Sequence, residues 1–249
     1  MNCFENQVFL VTGASSGIGR SIALKLNKFG AIVLANGRNI ERLEETVAMA
    51  DFPANMKPVV RDLAQDMDDI PKWLSLLAAK NGKLRGLACS AGITYNAPMS
   101  FYDISKARQI FDICCHSPLK LGSAFCGRRV NAGDGSSIVF IAAAAALDPN
   151  PGQGMYAAAK AALVGGARCM AKEAAPHKIR VNCISPGLVD SPMMDATVRQ
   201  LGPEFMEREK TLYPLGIGAP DDVGELALFL LSAKSRWLTG QNIPLTGGR

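Results

Sequence analysis

Apolar positions along the chain follow two alternating rhythms. Short β-branched and apolar runs stand at residues 8–11, 31–35, 57–60, 86–89, 137–141, 180–184 and 242–245. Longer stretches with apolar residues every three or four positions lie at 18–29, 40–49, 71–79, 104–129, 155–174 and 221–231. In the first of these, Ile22, Leu26 and Phe29 share one face. The runs predict strands and the periodic stretches predict amphipathic helices. Their alternation predicts parallel βαβ units, with helices covering both faces of one sheet. Neither a composition break nor an internal repeat divides the chain, so one α/β domain is expected over residues 1–249.

One segment breaks the rhythm. Residues 190–220 hold Pro192, Pro203, Pro214 and Pro220, the adjacent Met193 and Met194, and a charged stretch over 204–210. So long an insertion between strand and helix predicts a lid or substrate loop, spanning about 188–218.

Composition narrows the class. With 48% hydrophobic and 20% charged residues the chain can bury a core and is not a disordered segment. Its net charge of +5 is scattered, which permits an anionic ligand without pointing to nucleic acid. Cysteines at 3, 89, 114, 115, 126, 169 and 183 are odd in number and lack zinc-type spacing. Reduced thiols are expected, with Cys114 and Cys115 packing on a helix. His116 and His177 have no partner spacing, so no metal is expected. The longest apolar run, 138–147, is ten residues, against the ~20 a membrane helix needs. The start, MNCFENQ, lacks the basic and apolar parts of a signal peptide. A soluble, cytoplasmic protein is expected.

Two stretches carry chemistry. VFLVTGASSGIGR, 8–20, runs from a predicted strand into a predicted helix with Gly13, Gly17 and Gly19 between. Gly13 allows the sharp exit, Gly17 lets backbone approach a pyrophosphate, and Gly19 lets the helix lie close to the sheet. The phosphate then meets unpaired N–H groups at the positive end of the helix dipole. An NAD site places an acid about 20 residues on, to hold the ribose 2′-hydroxyl. In LANGRN, 34–39, that position is near Gly37 and no acid stands there. Arg38 follows and suits a 2′-phosphate, so NADP(H) is expected over NAD(H). The second stretch is Tyr156 with Lys160 four residues on, one helical turn apart. A Tyr hydroxyl has a pKa near ~10 and is a weak acid at neutral pH. A Lys ammonium beside it, with an oxidised nicotinamide, favours phenolate and should lower that pKa.

These motifs resemble the short-chain dehydrogenase/reductase family over nearly the whole chain. TGASSGIG at 12–19 resembles its glycine motif, and Arg61-Asp62-Leu63 its Asp-Leu pair beside the adenine. Tyr156-Ala-Ala-Ala-Lys160 is similar to its Tyr-x-x-x-Lys, and Pro186-Gly187 to the motif beside the nicotinamide. WLTGQNIPLTGG, 237–248, resembles the end of such chains. The resemblance implies a Rossmann-type, doubly wound seven-stranded sheet of order 3-2-1-4-5-6-7. It implies hydride transfer between a nicotinamide and a small-molecule carbonyl or alcohol, in a homotetramer or homodimer, with no nucleic-acid or membrane partner. Implied cofactor contacts are Gly13, Ser15, Ser16, Gly17, Ile18, Gly19, Arg38, Asp62, Leu63, Ser90, Ala91, Gly92, Tyr156, Lys160, Pro186, Gly187 and Val189.

Three positions depart from the family pattern. The Ser that donates to the substrate oxygen, about 13 residues before the Tyr, falls on Ala143, with Ala142 beside it. Losing one such donor typically costs ~10²–10³ in rate. The Asn that helps hold a water relay from the Lys is replaced by Cys114, a weak donor and acceptor. The Asn before Ala-Gly is Ser90. Three readings follow. The chain is an active NADP(H) reductase or alcohol dehydrogenase in which Gln153, Ser185 or Thr94 orients the carbonyl. Alternatively it is a catalytically impaired dinucleotide-binding scaffold, or an active reductase with its Ser replaced by Ala. Leu147, Met155, Met193 and Met194 predict a partly apolar, adaptable pocket, which leaves the substrate open.

Overall fold

Strands that lie inside a parallel sheet are covered on both faces and are apolar throughout; those at its edges need not be. The computed structural model, which describes residues 4–249, shows this contrast; Cys3 lies outside the described residues. Strands β1 (Val8–Thr12), β2 (Ile32–Gly37), β4 (Leu84–Cys89), β5 (Ser137–Ile141) and β6 (Arg180–Pro186) are almost wholly buried. The edge strands β3 (Met56–Val60) and β7 (Asn242–Leu245) are largely exposed or half-buried. All pair in parallel in the order β3-β2-β1-β4-β5-β6-β7, the expected topology. Between β1 and β4 the strand order reverses, and Thr12 lies level with Asn36 on one side and Cys89 on the other. In open α/β sheets a ligand crevice lies just beyond such a point, at the carboxyl ends of the strands.

Alternate residues of each strand feed two cores. Leu10, Leu34, Leu87 and Phe140 pack with helices α3 (Ile70–Asn81), α5 (Ser117–Phe125) and α6 (Gly154–Ala174). Phe9, Val11, Val33 and Ile184 pack with α1 (Gly17–Lys28), α2 (Ile40–Ala48) and α9 (Pro220–Leu231). The strand α/β period of two thus sorts the sequence between faces. Polar ties join α1 to α9: Ser21 donates to Asp221 at 2.6 Å, and Lys25 to Glu225 at 2.6 Å.

Boundaries moved where side chains, rather than apolar periodicity, hold the backbone. β2 continues through Asn36, whose amide donates to the Val59 and Arg61 carbonyls at 3.0 and 3.2 Å. The helix expected over 104–129 is α4 (Ile104–Phe111), a π-helical turn at Asp112–His116, and α5, which ends at Phe125. Pro118 lacks the N–H that would bond the Cys114 carbonyl, and Ser117 instead reaches five residues back to Asp112. The insertion expected as a lid or substrate loop has helices of its own. It folds into α7 (Pro192–Leu201) and α8 (Pro203–Leu212). Ser191 caps α7 by accepting from the Met194 N–H, Pro192 opens it, and Gly202 at φ 90° separates the two. Pro192, Pro203 and Pro220 open helices, and Pro214 stands in the turn that follows α8.

Candidate active site

A cavity of about 990 Å³ opens at the carboxyl ends of the strands. At one end the chain leaves β1 through Gly13 at φ +68° and enters α1 at Gly17, φ +49°. A Cβ on Gly13 would come within 2.8 Å of the Ala91 nitrogen, and one on Gly19 would strike the Gly13 carbonyl. Both glycines therefore serve close backbone approach as well as turning. Thr12 locks the neighbouring crossing: its hydroxyl accepts from the Ser90 and Ala91 N–H groups at 3.1 and 3.2 Å. Ser16, the residue ahead of α1, makes no side-chain cap, and the first turn of α1 holds no acid. Its N–H groups and dipole remain available to an anion. The cradle fits a dinucleotide pyrophosphate.

At the tip of β2 a Cβ on Gly37 would meet Ser15 at 3.3 Å and Leu43 at 3.2 Å, so a side chain fits there only if they give. The Arg38 side chain is 70% exposed, 3.7 Å from the Asp62 carboxylate, and both line the cavity. All the cofactor residues expected from the sequence line this one cavity.

At the other end α6 presents Tyr156 and Lys160. Lys160 is buried, and its ammonium donates to the Ile141 carbonyl at 2.7 Å while lying 5.7 Å over the Tyr156 ring. Tyr156 packs with Ala143, Ala145 and Ala157, so the alanine at the expected Ser position does face the phenol's surroundings. Cys114 is fully buried and donates to the Ile93 carbonyl at 3.3 Å, next to Gly92. Burial pushes the Tyr156 phenol above its ordinary value, and the Cys114 thiol adds in the same direction. The lowering expected above belongs to a site in which an oxidised nicotinamide stands beside Lys160. The ammonium is engaged by a backbone carbonyl and faces the ring, while the phenol lies in an alanine-lined hollow.

Of the three groups expected as replacement donors, Ser185 is not at the site: it is buried and donates to Asn242 at 2.7 Å. Gln153 and Thr94 line the cavity. Leu147, Met193 and Met194 line it too, whereas Met155 points into a buried cluster with Ile110 and Cys115.

A polar network at this end has no sequence motif. Glu209 of α8, only 2% exposed, receives the Arg249 guanidinium at 2.5 Å. Arg249 also donates to the Asn150 side chain at 2.6 Å and to the Tyr213 hydroxyl at 3.2 Å. Tyr213 in turn accepts from the Leu188 N–H at 2.9 Å, and Gln200 of α7 donates to the Asn96 carbonyl at 2.7 Å. These side chains converge from segments far apart in sequence, which is why spacing could not reveal them. Among the described residues no helix is long and apolar enough to cross a membrane.

Residues 13–249 match the family model described as enoyl-(acyl carrier protein) reductase. The 3-oxoacyl-(acyl-carrier-protein) reductase FabG of Thermotoga maritima is 32% identical over 246 residues, covering 98% of both chains. Its namesake from Rickettsia prowazekii is 35% identical over 249 residues, covering 96% of this chain and 95% of its own. Among solved structures, a short-chain dehydrogenase/reductase of the glucose/ribitol dehydrogenase type from Brucella melitensis superposes with a TM-score of 0.89. That structure is 29% identical and covers 99% of this chain and 97% of its own.

Proposed function

The chain belongs to the short-chain dehydrogenase/reductase family, and on that premise we propose that it is an NADP(H)-dependent carbonyl reductase. It is an oxidoreductase by family; the cofactor preference, the direction and the substrate are this proposal. The observation that carries it is one cavity joining the glycine cradle and Arg38 to Tyr156 and Lys160. NADPH held there would supply the hydride for the carbonyl carbon. The protein's residues do the rest. The open first turn of α1 takes the pyrophosphate. Arg38 pairs with the 2′-phosphate, in place of the acid that would select a free hydroxyl. Tyr156 gives its proton to the carbonyl oxygen as negative charge develops there, completing the alcohol. A phenol kept protonated by its surroundings suits that direction: it holds the proton that reduction consumes. Lys160 keeps a positive charge beside the ring and stabilises the phenolate left behind.

Helices α7 and α8 form the lid over the substrate end. The names of the relatives make a 3-oxoacyl thioester the first substrate to assay, ahead of simple ketones. A cytoplasmic homotetramer or homodimer completes the reading. The alternative, a binding scaffold, is favoured by one observation, the donor-free wall at Ala143. The two are separated by NADPH and NADH binding, followed by fluorescence, and NADPH oxidation over a panel of thioesters and ketones. Tighter NADPH binding with turnover supports the reductase; binding without turnover supports the scaffold.

A further inference from the structure

A donor-free wall at Ala143 leaves the substrate oxygen with Tyr156 alone unless another group reaches it. Two of the neutral side chains expected as donors, Thr94 and Gln153, line the cavity with Tyr156, and they differ in how firmly they are held. Thr94 stands on the segment after β4, and its hydroxyl has no partner among the described residues. Gln153 directly precedes α6, three residues before Tyr156. Residues three apart on a helix are neighbours, and helical side chains lean back towards the amino-terminal turn. Gln153, ahead of α6, and Tyr156, in its first turn, line the same cavity.

The Gln153 amide is also oriented. Asn150 donates its backbone N–H to Gln153 Oε1 at 3.0 Å, and Gln153 returns its own N–H to the Asn150 carbonyl at 3.1 Å. A backbone N–H can only donate, so the amide atom that meets it is the oxygen. Nε2, a donor, is left at the other end with no partner among the described residues. Asn150 is itself held, because Arg249 donates to its side chain at 2.6 Å. A donor fixed in advance by two layers of hydrogen bonds is what stabilisation of a developing oxyanion requires.

We propose that Gln153 Nε2 is the donor that holds the substrate carbonyl oxygen beside Tyr156, in the role of the hydroxyl that Ala143 lacks. The inference rests on the reductase reading. It makes Gln153 a catalytic residue that donates a hydrogen bond and transfers no proton.

Four variants test it against the wild type. Gln153→Glu keeps the oxygen that accepts from Asn150 and removes the N–H donor; Gln153→Met removes both without adding charge. Ala143→Ser is made alone and in the Gln153→Glu background. NADPH affinity and thermal midpoint are read for all of them, besides kcat and KM. Both Gln153 variants should lose about 10²-fold in kcat with NADPH affinity unchanged. Ala143→Ser should change the wild type little, yet raise the Gln153→Glu enzyme about tenfold or more, a coupling that a purely structural glutamine would not produce. An active wild type whose Gln153→Glu variant keeps its kcat overturns the inference alone. So does a loss that Ala143→Ser fails to relieve while NADPH still binds. A wild type that binds NADPH and reduces nothing overturns the reductase reading, and this inference with it.

Discussion

The two ends of the cavity are built differently. The cofactor end is made of backbone: Gly13, Gly17 and Gly19 shape it, Thr12 locks it, and the open turn of α1 supplies its N–H groups. The substrate end is made of side chains drawn together from β5, the loop before α6, α8 and residue 249. A backbone site tolerates few changes, because an added Cβ at Gly13 or Gly19 meets main chain. A side-chain site can be rebuilt one residue at a time. Variants at the two ends should therefore fail in different ways.

The largest effect is expected at the acid–base pair. Tyr156→Phe removes the proton donor and should lower kcat by about 10²–10⁴-fold, with NADPH affinity within a few-fold of wild type. Parallel loss of NADPH binding would mean that the two ends are not separable. Next comes the lid. Arg249→Ala leaves Glu209 buried, with only the exposed Arg208 at 3.4 Å to pair with it. An uncompensated buried charge costs up to about 3 kcal/mol here. Faster proteolysis within 203–212 and a raised KM are expected, again without change in NADPH affinity.

At the cofactor end, Arg38→Ala should weaken NADPH by about tenfold, a figure held down by the exposure of the side chain. NADH affinity should hardly move, so the ratio of the two constants is the measurement. Equal losses for both cofactors would take Arg38 off the 2′-phosphate. The smallest effect lies outside the cavity, at the α1–α9 contact that backs the glycine turn. The Ser21 hydrogen bond, and after it Lys25, hold the Asp221 carboxyl below its ordinary 3.8. A depressed folded pKa means that its contribution is present above about pH 4 and is lost as pH falls through the lower folded value. Asp221→Ala should lower the thermal midpoint by about 1–3 °C at neutral pH. The gap to wild type should close in acid.

Sequence and structure agree where function lies in backbone. Each of the seven strands and the whole glycine turn follow from apolar runs and Gly positions, because parallel strands must be buried and a phosphate turn must lack Cβ atoms. What the pattern did not carry was set by single side chains acting over distance. Asn36 extends β2, Pro118 widens a helix into a π turn, and Ser191 with Pro192 turns an expected loop into α7. At the substrate end, Glu209 and Arg249 stand 40 residues apart, Arg249 and Asn150 99 apart. No local motif spans such distances. Ser185, one of the expected donors, lies within β6 and is turned away by its bond to Asn242. Strand alternation alone does not say which face a polar residue will find useful.

The central claim, hydride transfer from a bound nicotinamide to a carbonyl at Tyr156, has one direct test. The enzyme is given a 3-oxoacyl thioester and NADPH deuterated at both nicotinamide C4 positions, and the product is read by mass spectrometry. The account predicts a 3-hydroxyacyl thioester with one deuterium on the carbinol carbon, formed by the wild type and not by Tyr156→Phe. An alcohol without deuterium, or equal labelled product from Tyr156→Phe, would contradict it.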